Sequence, residues 1–292
     1  MRPGTLEEYR AAIVDVFPGL RPSGFTLLPL GWDCEAVDVD GRLIFKFPRD
    51  EEAAQALARE AALLTVIRPA IALPVPDMTL HEGPPIFSRH RKLAGDHISS
   101  AQYEALPKEA RRLLAADLAL LYAALHNLDS GKMADAGAAP VEPLPPPEDI
   151  LGKARPLLPT DLQAYADRAI SEWAELPPDP YGTIYGYFDG HGWNMAFDHG
   201  RNRLNGVYDF ADSGFGPLHQ DFIYSNFISP DLTARIIDEY EALTSRKLDR
   251  RRIALLTGVH RLSELASLAG DADHAAMAAG YVAAWAAHAA AS

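Results

Sequence analysis

Apolar residues along the chain switch between two periods. Tyr9, Ile13 and Phe17 recur at helical spacing. Thr5 precedes them with Glu8 three positions on, the pattern of a capping box, and Pro18-Gly19 ends the run. Three short strand-like segments follow at Phe25–Leu28, Ala36–Val39 and Leu43–Phe47. Asp40-Gly41 between the last two predicts a hairpin turn. From Asp50 to Ile67 the period is helical again, with Ala54, Leu57, Ala61, Leu64 and Ile67 on one face. Pro74 and Pro76 break the chain, and two more strands are predicted at Met78–Leu80 and Pro85–Ser88.

After Gly95 the pattern is mainly helical. Helices are predicted over Ala110–Leu128 and Asp161–Trp173, with a proline-rich loop over Ala136–Pro147 between them. Strand-like pieces occupy Thr183–Tyr185, Met195–Phe197 and Leu204–Tyr208, with a polar turn at His199–Asn202. Helical stretches near 218–226, 231–269 (broken near Ser245) and 273–290 close the chain. The order of elements predicts an α+β fold: a small unit with a sheet and a helix, then a larger helical unit.

Composition narrows the function classes. The chain has 292 residues and a formal net charge of −13. That balance argues against nucleic acid or an anionic membrane as partner, and it suits a cationic substrate. Cys34 is the single cysteine, so no intrachain disulfide and no cysteine-based zinc site is expected. The alanine-rich run Ala275–Ala290 contains His288 and Gly280 and reads as a packed helix, not a membrane span. A cytoplasmic protein is expected.

The candidate chemistry concentrates in Phe188-Asp189-Gly190-His191-Gly192-Trp193-Asn194 and in Tyr208-Asp209-Phe210-Ala211-Asp212. Phosphoryl transfer to a hydroxyl needs a carboxylate near the acceptor, and an amide and a second carboxylate for Mg²⁺. Asp189, Asn194 and Asp209 supply those groups in that order. Lys46 lies mid-strand between Phe45 and Phe47, whose side chains point to the opposite face. A lysine in an apolar setting needs a partner, and Arg59 and Glu60 on the next helix are the candidates. Glu60 lies toward the middle of that helix, beside Leu57, Ala61 and Leu64, so it can face the sheet. An alternative uses Asp189, His191 and Asp209 as the metal ligands of a hydrolase. No Gly-x-Ser-x-Gly elbow and no Gly-x4-Gly-Lys-Ser/Thr loop is present.

At these residues the chain resembles the aminoglycoside phosphotransferase/choline kinase family. The family's catalytic stretch, His-Gly-Asp-x-His-x-Gly-Asn, is matched by Tyr187 to Asn194 at its Asp, second His and Asn. Its Gly-Val-Ile-Asp-Phe-Gly-Asp is matched by Gly206-Val207-Tyr208-Asp209-Phe210-Ala211-Asp212, and a downstream Asp-Leu/Phe by Asp221-Phe222. Gly31 to Ala36 resembles the short nucleotide loop, Phe45-Lys46-Phe47-Pro48 the phosphate-binding strand, and Glu60-Ala61-Ala62-Leu63 its partner helix. Leu93-Ala94-Gly95 resembles the hinge, and Leu125-His126 the end of a C-lobe helix. Tyr187-Phe188 departs from the family's His-Gly, and Ala211 from its Gly.

The resemblance implies a bilobal, protein-kinase-like fold, with an N-lobe over 1–92 and a C-lobe over 93–292. It implies ATP or GTP as co-substrate, with Lys46 and Glu60 at the phosphates and the backbone near Arg91 and Leu93 at the base. Asn194 and Asp209 would bind Mg²⁺, and Asp189 would be the catalytic base. The acceptor would be an aminoglycoside, a macrolide, or a metabolite such as choline, homoserine or a sugar. Asp231, Asp238, Glu239, Glu241 and Glu264 are candidates for a polycation subsite. A monomer or homodimer is expected. A nucleotide-binding regulator without turnover is the non-enzymatic alternative.

Overall fold

A computed structural model describes residues 4–28 and 33–291. Gly31 and Trp32 of the expected nucleotide loop lie outside the described residues. The described helices are α1 (Leu6–Val16), α2 (Glu51–Ile67), α3 (Ser100–Glu104), α4 (Lys108–Leu125), α5 (Ser130–Asp135), α6 (Pro147–Ala154), α7 (Thr160–Ala174), α8 (Leu218–Asp221), α9 (Pro230–Thr244), α10 (Arg250–Ser267) and α11 (Ala272–Ala291). The strands are β1 (Phe25–Leu27), β2 (Cys34–Val39), β3 (Leu43–Pro48), β4 (Thr79–His81), β5 (Phe87–Arg91), β6 (Thr183–Gly186), β7 (Met195–Asp198), β8 (Arg203–Val207) and β9 (Gly214–Pro217).

The five N-terminal strands form an antiparallel sheet in the order β1-β2-β3-β5-β4. Its two faces follow the alternation of β3. Phe45 and Phe47 join Tyr9, Ile13, Val37, Val39 and Phe87 in a buried cluster that seats α1 on the sheet. Thr5 caps α1 through the expected box with Glu8. Lys46 takes the other face and meets α2. The buried face of α2 comprises Ala53, Leu57, Glu60, Leu63, Leu64 and Ile67. It is rotated from the expected stripe because Glu60, not Ala61, faces the sheet.

The segment that follows β5, Leu93-Ala94-Gly95, is held by close packing. Gly95 has φ +126°, and a Cβ there would lie 2.7 Å from the carbonyl oxygen of Phe197. Asp96 and Phe197 exchange backbone hydrogen bonds of 3.0 and 2.8 Å at this crossing. The sheet is thereby tied directly to the β7–β8 hairpin, whose open end carries Asn194 just before β7 and Asp209 just after β8, since Met195 pairs with Val207.

The remaining core is helical. α4 and α9 pack together over the small sheets β7–β8 and β6–β9. A second apolar cluster joins α6, α7, α10 and α11. Four elements were not legible in the pattern: the short helices α3 and α5, α6, and β9. The proline run ends in α6 because Pro147 occupies its first turn, where a missing N–H costs nothing. β9 is Gly-Phe-Gly-Pro and lacks the apolar alternation that marks a strand. The expected break near Ser245 is a left-handed residue, φ +60°, that ends α9. Among the described residues no helix is long and apolar enough to cross a membrane.

Candidate active site

The site begins at Lys46. Its Nζ lies 3.2 Å from Glu60 Oε2 and 3.1 Å from Asp209 Oδ1. Glu60 also accepts from the backbone N–H of Phe210 at 3.0 Å. One carboxylate on α2 therefore holds both the lysine and the segment that carries Asp209. Burial opposes the charge on Lys46, but Glu60 and Asp209 outweigh it and hold the ammonium above its ordinary range. Lys46 in turn holds Asp209 below the usual carboxylate range. Burial raises Glu60. The sequence left Arg59 and Glu60 as candidate partners, and the structure selects Glu60.

Asp209 has φ +66°, left-handed backbone that a non-glycine residue adopts at a cost. Its neighbours fix it there: Lys46 on the side chain and Glu60 on the following N–H. We expect Glu60→Gln to weaken nucleotide binding about tenfold, since a charged hydrogen bond contributes roughly 1.5–3 kcal/mol and the amide retains part of it. Titration with a fluorescent nucleotide checks this, and an unchanged Kd contradicts the role given to the pair.

The catalytic-loop candidates converge on Asp189. Asn194 Nδ2 donates to Asp189 Oδ2, and also to the Asp189 carbonyl at 3.1 Å. His191 Nε2 lies 3.0 Å from Asp189 Oδ1. Burial lowers the basicity of His191, but the Asp189 contact outweighs it and the net shift is upward. Because the Asn194 amide nitrogen is engaged by Asp189, the amide oxygen is the atom left to ligate a cation.

Tyr187-Phe188, the departure from the family pattern, is accommodated by specific contacts. Phe188 has φ +54°, the conformation a glycine would take freely. Asp221, fully buried, accepts from the backbone N–H groups of Tyr187 at 3.0 Å and Phe188 at 2.6 Å. Its other contact is His126 Nε2 at 2.9 Å, and His126 Nδ1 meets the Tyr240 hydroxyl at 2.9 Å. On the far side, the Tyr187 hydroxyl donates to the carbonyl of Tyr208. Tyr187 thus ties the loop of Asp189 to the residue before Asp209. Removing that hydroxyl as Tyr187→Phe frees one carbonyl with little change in volume. We expect the melting temperature to fall by a few degrees, consistent with about 1 kcal/mol for a hydrogen bond in a chain this size, as differential scanning fluorimetry will report.

Arg91 and Leu93 lie where the sheet meets the hinge. Arg91 ends β5, exposed and in register with Leu43. The Leu93 side chain is half-buried against Gly206 of β8. His90, not singled out in the sequence, is buried beside them, and desolvation depresses it to about 4. Tyr224 was also missed. Burial first, and then the charge of Asp189, raise its hydroxyl. Its apolar helical context carried no signal of that kind.

Asp212 is pushed up to about 6, by burial first and then by Asp189 and Asp209. Its folded pKa lies above the ordinary value of 3.8. Its contribution to stability is therefore full below that value and is lost as pH rises through about 6. We expect the melting temperature of Asp212→Asn to exceed that of the parent most above pH 6, with the difference closing toward pH 4. An unchanged difference across that range contradicts the clustering of carboxylates.

The acidic residues of the C-terminal helices are largely engaged. Asp231 pairs with Arg235 at 2.8 Å, Asp238 with Arg250 at 2.7 Å, Glu241 with Lys247 at 2.8 Å and Glu264 with Arg261 at 2.7 Å. Among the described residues, no group of three or more His, Cys, Asp or Glu is arranged to hold a metal. The hydrolase alternative therefore has no ligand set there. A Mg²⁺ held together with nucleotide phosphates would need only one or two carboxylates from the protein.

A five-stranded antiparallel sheet joined to a helical body, with Lys46, Glu60 and Asp209 in mutual contact where they meet, is the architecture of a kinase-like phosphotransferase. The sequence matches the model of the phosphotransferase enzyme family (APH) over residues 25–256, and the chain belongs to that family. Solved structures agree in fold. Wild-type aminoglycoside 2'-phosphotransferase-IIIa in its GDP complex superposes with a TM-score of 0.83 at 20% identity, covering 98% of this chain and 99% of that one. The GDP and kanamycin complex of APH(2")-IIIa gives 0.81 at 21% identity, covering 97% and 99%. Macrolide 2'-phosphotransferase type I gives 0.69 at 16% identity, covering 97% and 98%. No curated protein matches the sequence.

Proposed function

We propose that the protein is a small-molecule kinase that moves the γ-phosphoryl group of ATP or GTP onto a hydroxyl of a glycoside, in the manner of an aminoglycoside phosphotransferase. The observation that carries this reading is the Lys46–Glu60–Asp209 cluster, which joins sheet, helix and loop at 3.1–3.2 Å. Solved neighbours contain GDP with kanamycin, and streptomycin with ATP. Both nucleotides stay open here.

Each group has a role that its surroundings support. Lys46 holds nucleotide phosphates and is oriented by Glu60. The Asn194 amide oxygen and the Asp209 carboxylate would hold Mg²⁺, which neutralises charge on the phosphates. Binding of nucleotide and cation would draw Lys46 and Asp209 apart to separate ligands. The backbone around Arg91 and Leu93 faces the base, and the lobes divide there, at 1–92 and 93–292. The acceptor oxygen forms a bond to the γ-phosphorus as the bond to the bridging oxygen breaks. Asp189 accepts the hydroxyl proton and the nucleoside diphosphate leaves. Phosphoryl transfer of this kind rests on positioning and electrostatics more than on covalent chemistry.

A macrolide-type acceptor is the second reading. Four of the five acidic residues considered for a polycation subsite are paired with arginine or lysine of the same chain. A phosphorylation screen with both nucleotides, run at low and high salt, separates the two. Transfer to a polycation weakens steeply with salt, and transfer to a macrolide, with at most one amine, weakens much less.

A further inference from the structure

We infer that the indole of Trp193, backed by His97, is an acceptor subsite that takes the apolar face of a pyranose ring. This rests on the kinase reading above and names how its acceptor is recognised. Trp193 lies between Asp189 and Asn194, one residue before the amide assigned to the cation. Its side chain is 67% exposed, more than any other large apolar side chain among the described residues. Single exposed apolar residues are common and need no explanation. This one differs in being fixed on the catalytic loop and stacked.

Three contacts hold the backbone of Trp193. Its carbonyl accepts from the Tyr208 hydroxyl at 2.6 Å. The preceding Gly192 carbonyl accepts from Ile98 N–H at 3.1 Å, and the Asn194 N–H donates to the His191 carbonyl at 3.1 Å. Gly192 has no room for a side chain, since a Cβ there would lie 1.9 Å from the Ile98 carbonyl oxygen. The indole has little freedom to fold inward. It is covered on one face by the imidazole of His97, with centroids 4.1 Å apart and planes at 21°. The result is a rigid two-ring shelf beside the proposed phosphoryl-transfer centre. An aromatic shelf recognises area and the ring quadrupole, not net charge. A sugar presents a flat C–H face to it. An amino sugar adds a cation–π attraction, and a neutral sugar does not need one. The same shelf therefore serves both acceptor types that remain open.

The test titrates kanamycin and erythromycin against the full chain with Mg²⁺ and either GTP or ATP, reading tryptophan fluorescence and initial rates in parallel. Trp193→Ala is expected to raise the KM for the accepted glycoside tenfold or more, and to abolish the glycoside-dependent fluorescence change. The Kd for GTP is expected to stay within twofold. Trp193→Phe, which keeps a ring, is expected to recover most of the KM. An unchanged glycoside KM in Trp193→Ala overturns the subsite while leaving the kinase reading intact. A raised GTP Kd with an unchanged glycoside KM overturns it too, and assigns the shelf to the nucleotide. Absence of transfer from either nucleotide to either glycoside in the parent protein overturns the acceptor reading and the subsite with it.

Discussion

Asp189→Ala is expected to lower the rate of phosphoryl transfer by about 10²–10⁴, the range for a positioned general base. Nucleotide binding should persist, because Lys46, Glu60 and Asp209 contact one another and not Asp189. The local fold should also survive. Asp189 bonds Asn194 and His191 at the rim of the loop, whereas the loop backbone is pinned separately by Asp221. The signature is therefore a loss in kcat with a nucleotide Kd near that of the parent. Asn194 loses one of its two Asp189 contacts and keeps neither side-chain orientation nor metal affinity in full, so a modest rise in the Mg²⁺ requirement accompanies the loss. Rates under saturating nucleotide and acceptor, with equilibrium nucleotide titration beside them, check both parts.

Asp221→Leu is the second large effect, and it acts on stability. The carboxylate is fully buried and satisfies two backbone N–H groups and His126. An apolar replacement leaves those donors unpaired in the core. Breaking a buried charged cluster by removing one partner costs about 3–5 kcal/mol. For a chain of this size that corresponds to a fall in melting temperature of roughly 10 °C. The residual folded protein should also be nearly inactive. Phe188 keeps φ +54° only while its N–H is held, and Asp189 follows it directly. Thermal unfolding with and without nucleotide tests this, and a change below about 1 kcal/mol would show that the loop is held by packing instead.

The sequence made some of this legible and hid the rest for physical reasons. Lys46 stood out because a cation between two phenylalanines must find a partner, and strand alternation put it on the face opposite the aromatic core. Glu60 was readable as a partner because a carboxylate amid Leu57, Ala61 and Leu64 has few other uses. The Asp-x4-Asn spacing and the later Asp209 were local patterns, visible without a fold. The contact of Lys46 with Asp209 was not readable, since 163 positions separate them. Nor was the pinning of Tyr187 and Phe188, which depends on Asp221, His126 and Tyr240 arriving from three separate helices, α8, the end of α4, and α9. Tyr187-Phe188 looked like a defect in the pattern. In the folded chain the phenol reaches the Tyr208 carbonyl, and the phenyl ring packs against the bare backbone of Gly186 and Gly216. Glycine at those two positions is meaningful only once β6 and β9 are seen side by side.

The polycation subsite shows the same limit from the other direction. Acidic residues on amphipathic helices can be counted in a sequence, but their pairing cannot. Arg235 and Asp231 share a helix, while Arg250 reaches Asp238 from the next one. Charge already neutralised within the chain attracts a cation weakly. This shifts weight from charge to shape and stacking in acceptor recognition.

The central claim is that the Lys46–Glu60–Asp209 and Asp189–Asn194 groups together transfer a γ-phosphoryl to a small-molecule hydroxyl. The most direct measurement incubates the parent and Asp189→Ala proteins with Mg²⁺, ATP or GTP, and a panel of aminoglycosides, macrolides and metabolites, and weighs the acceptors by mass spectrometry. With the parent protein an acceptor is expected to gain one phosphate in step with nucleoside diphosphate release, and with Asp189→Ala no such product is expected. Full turnover by Asp189→Ala, or bound nucleotide with no phosphorylated acceptor anywhere in the panel, would contradict the central claim.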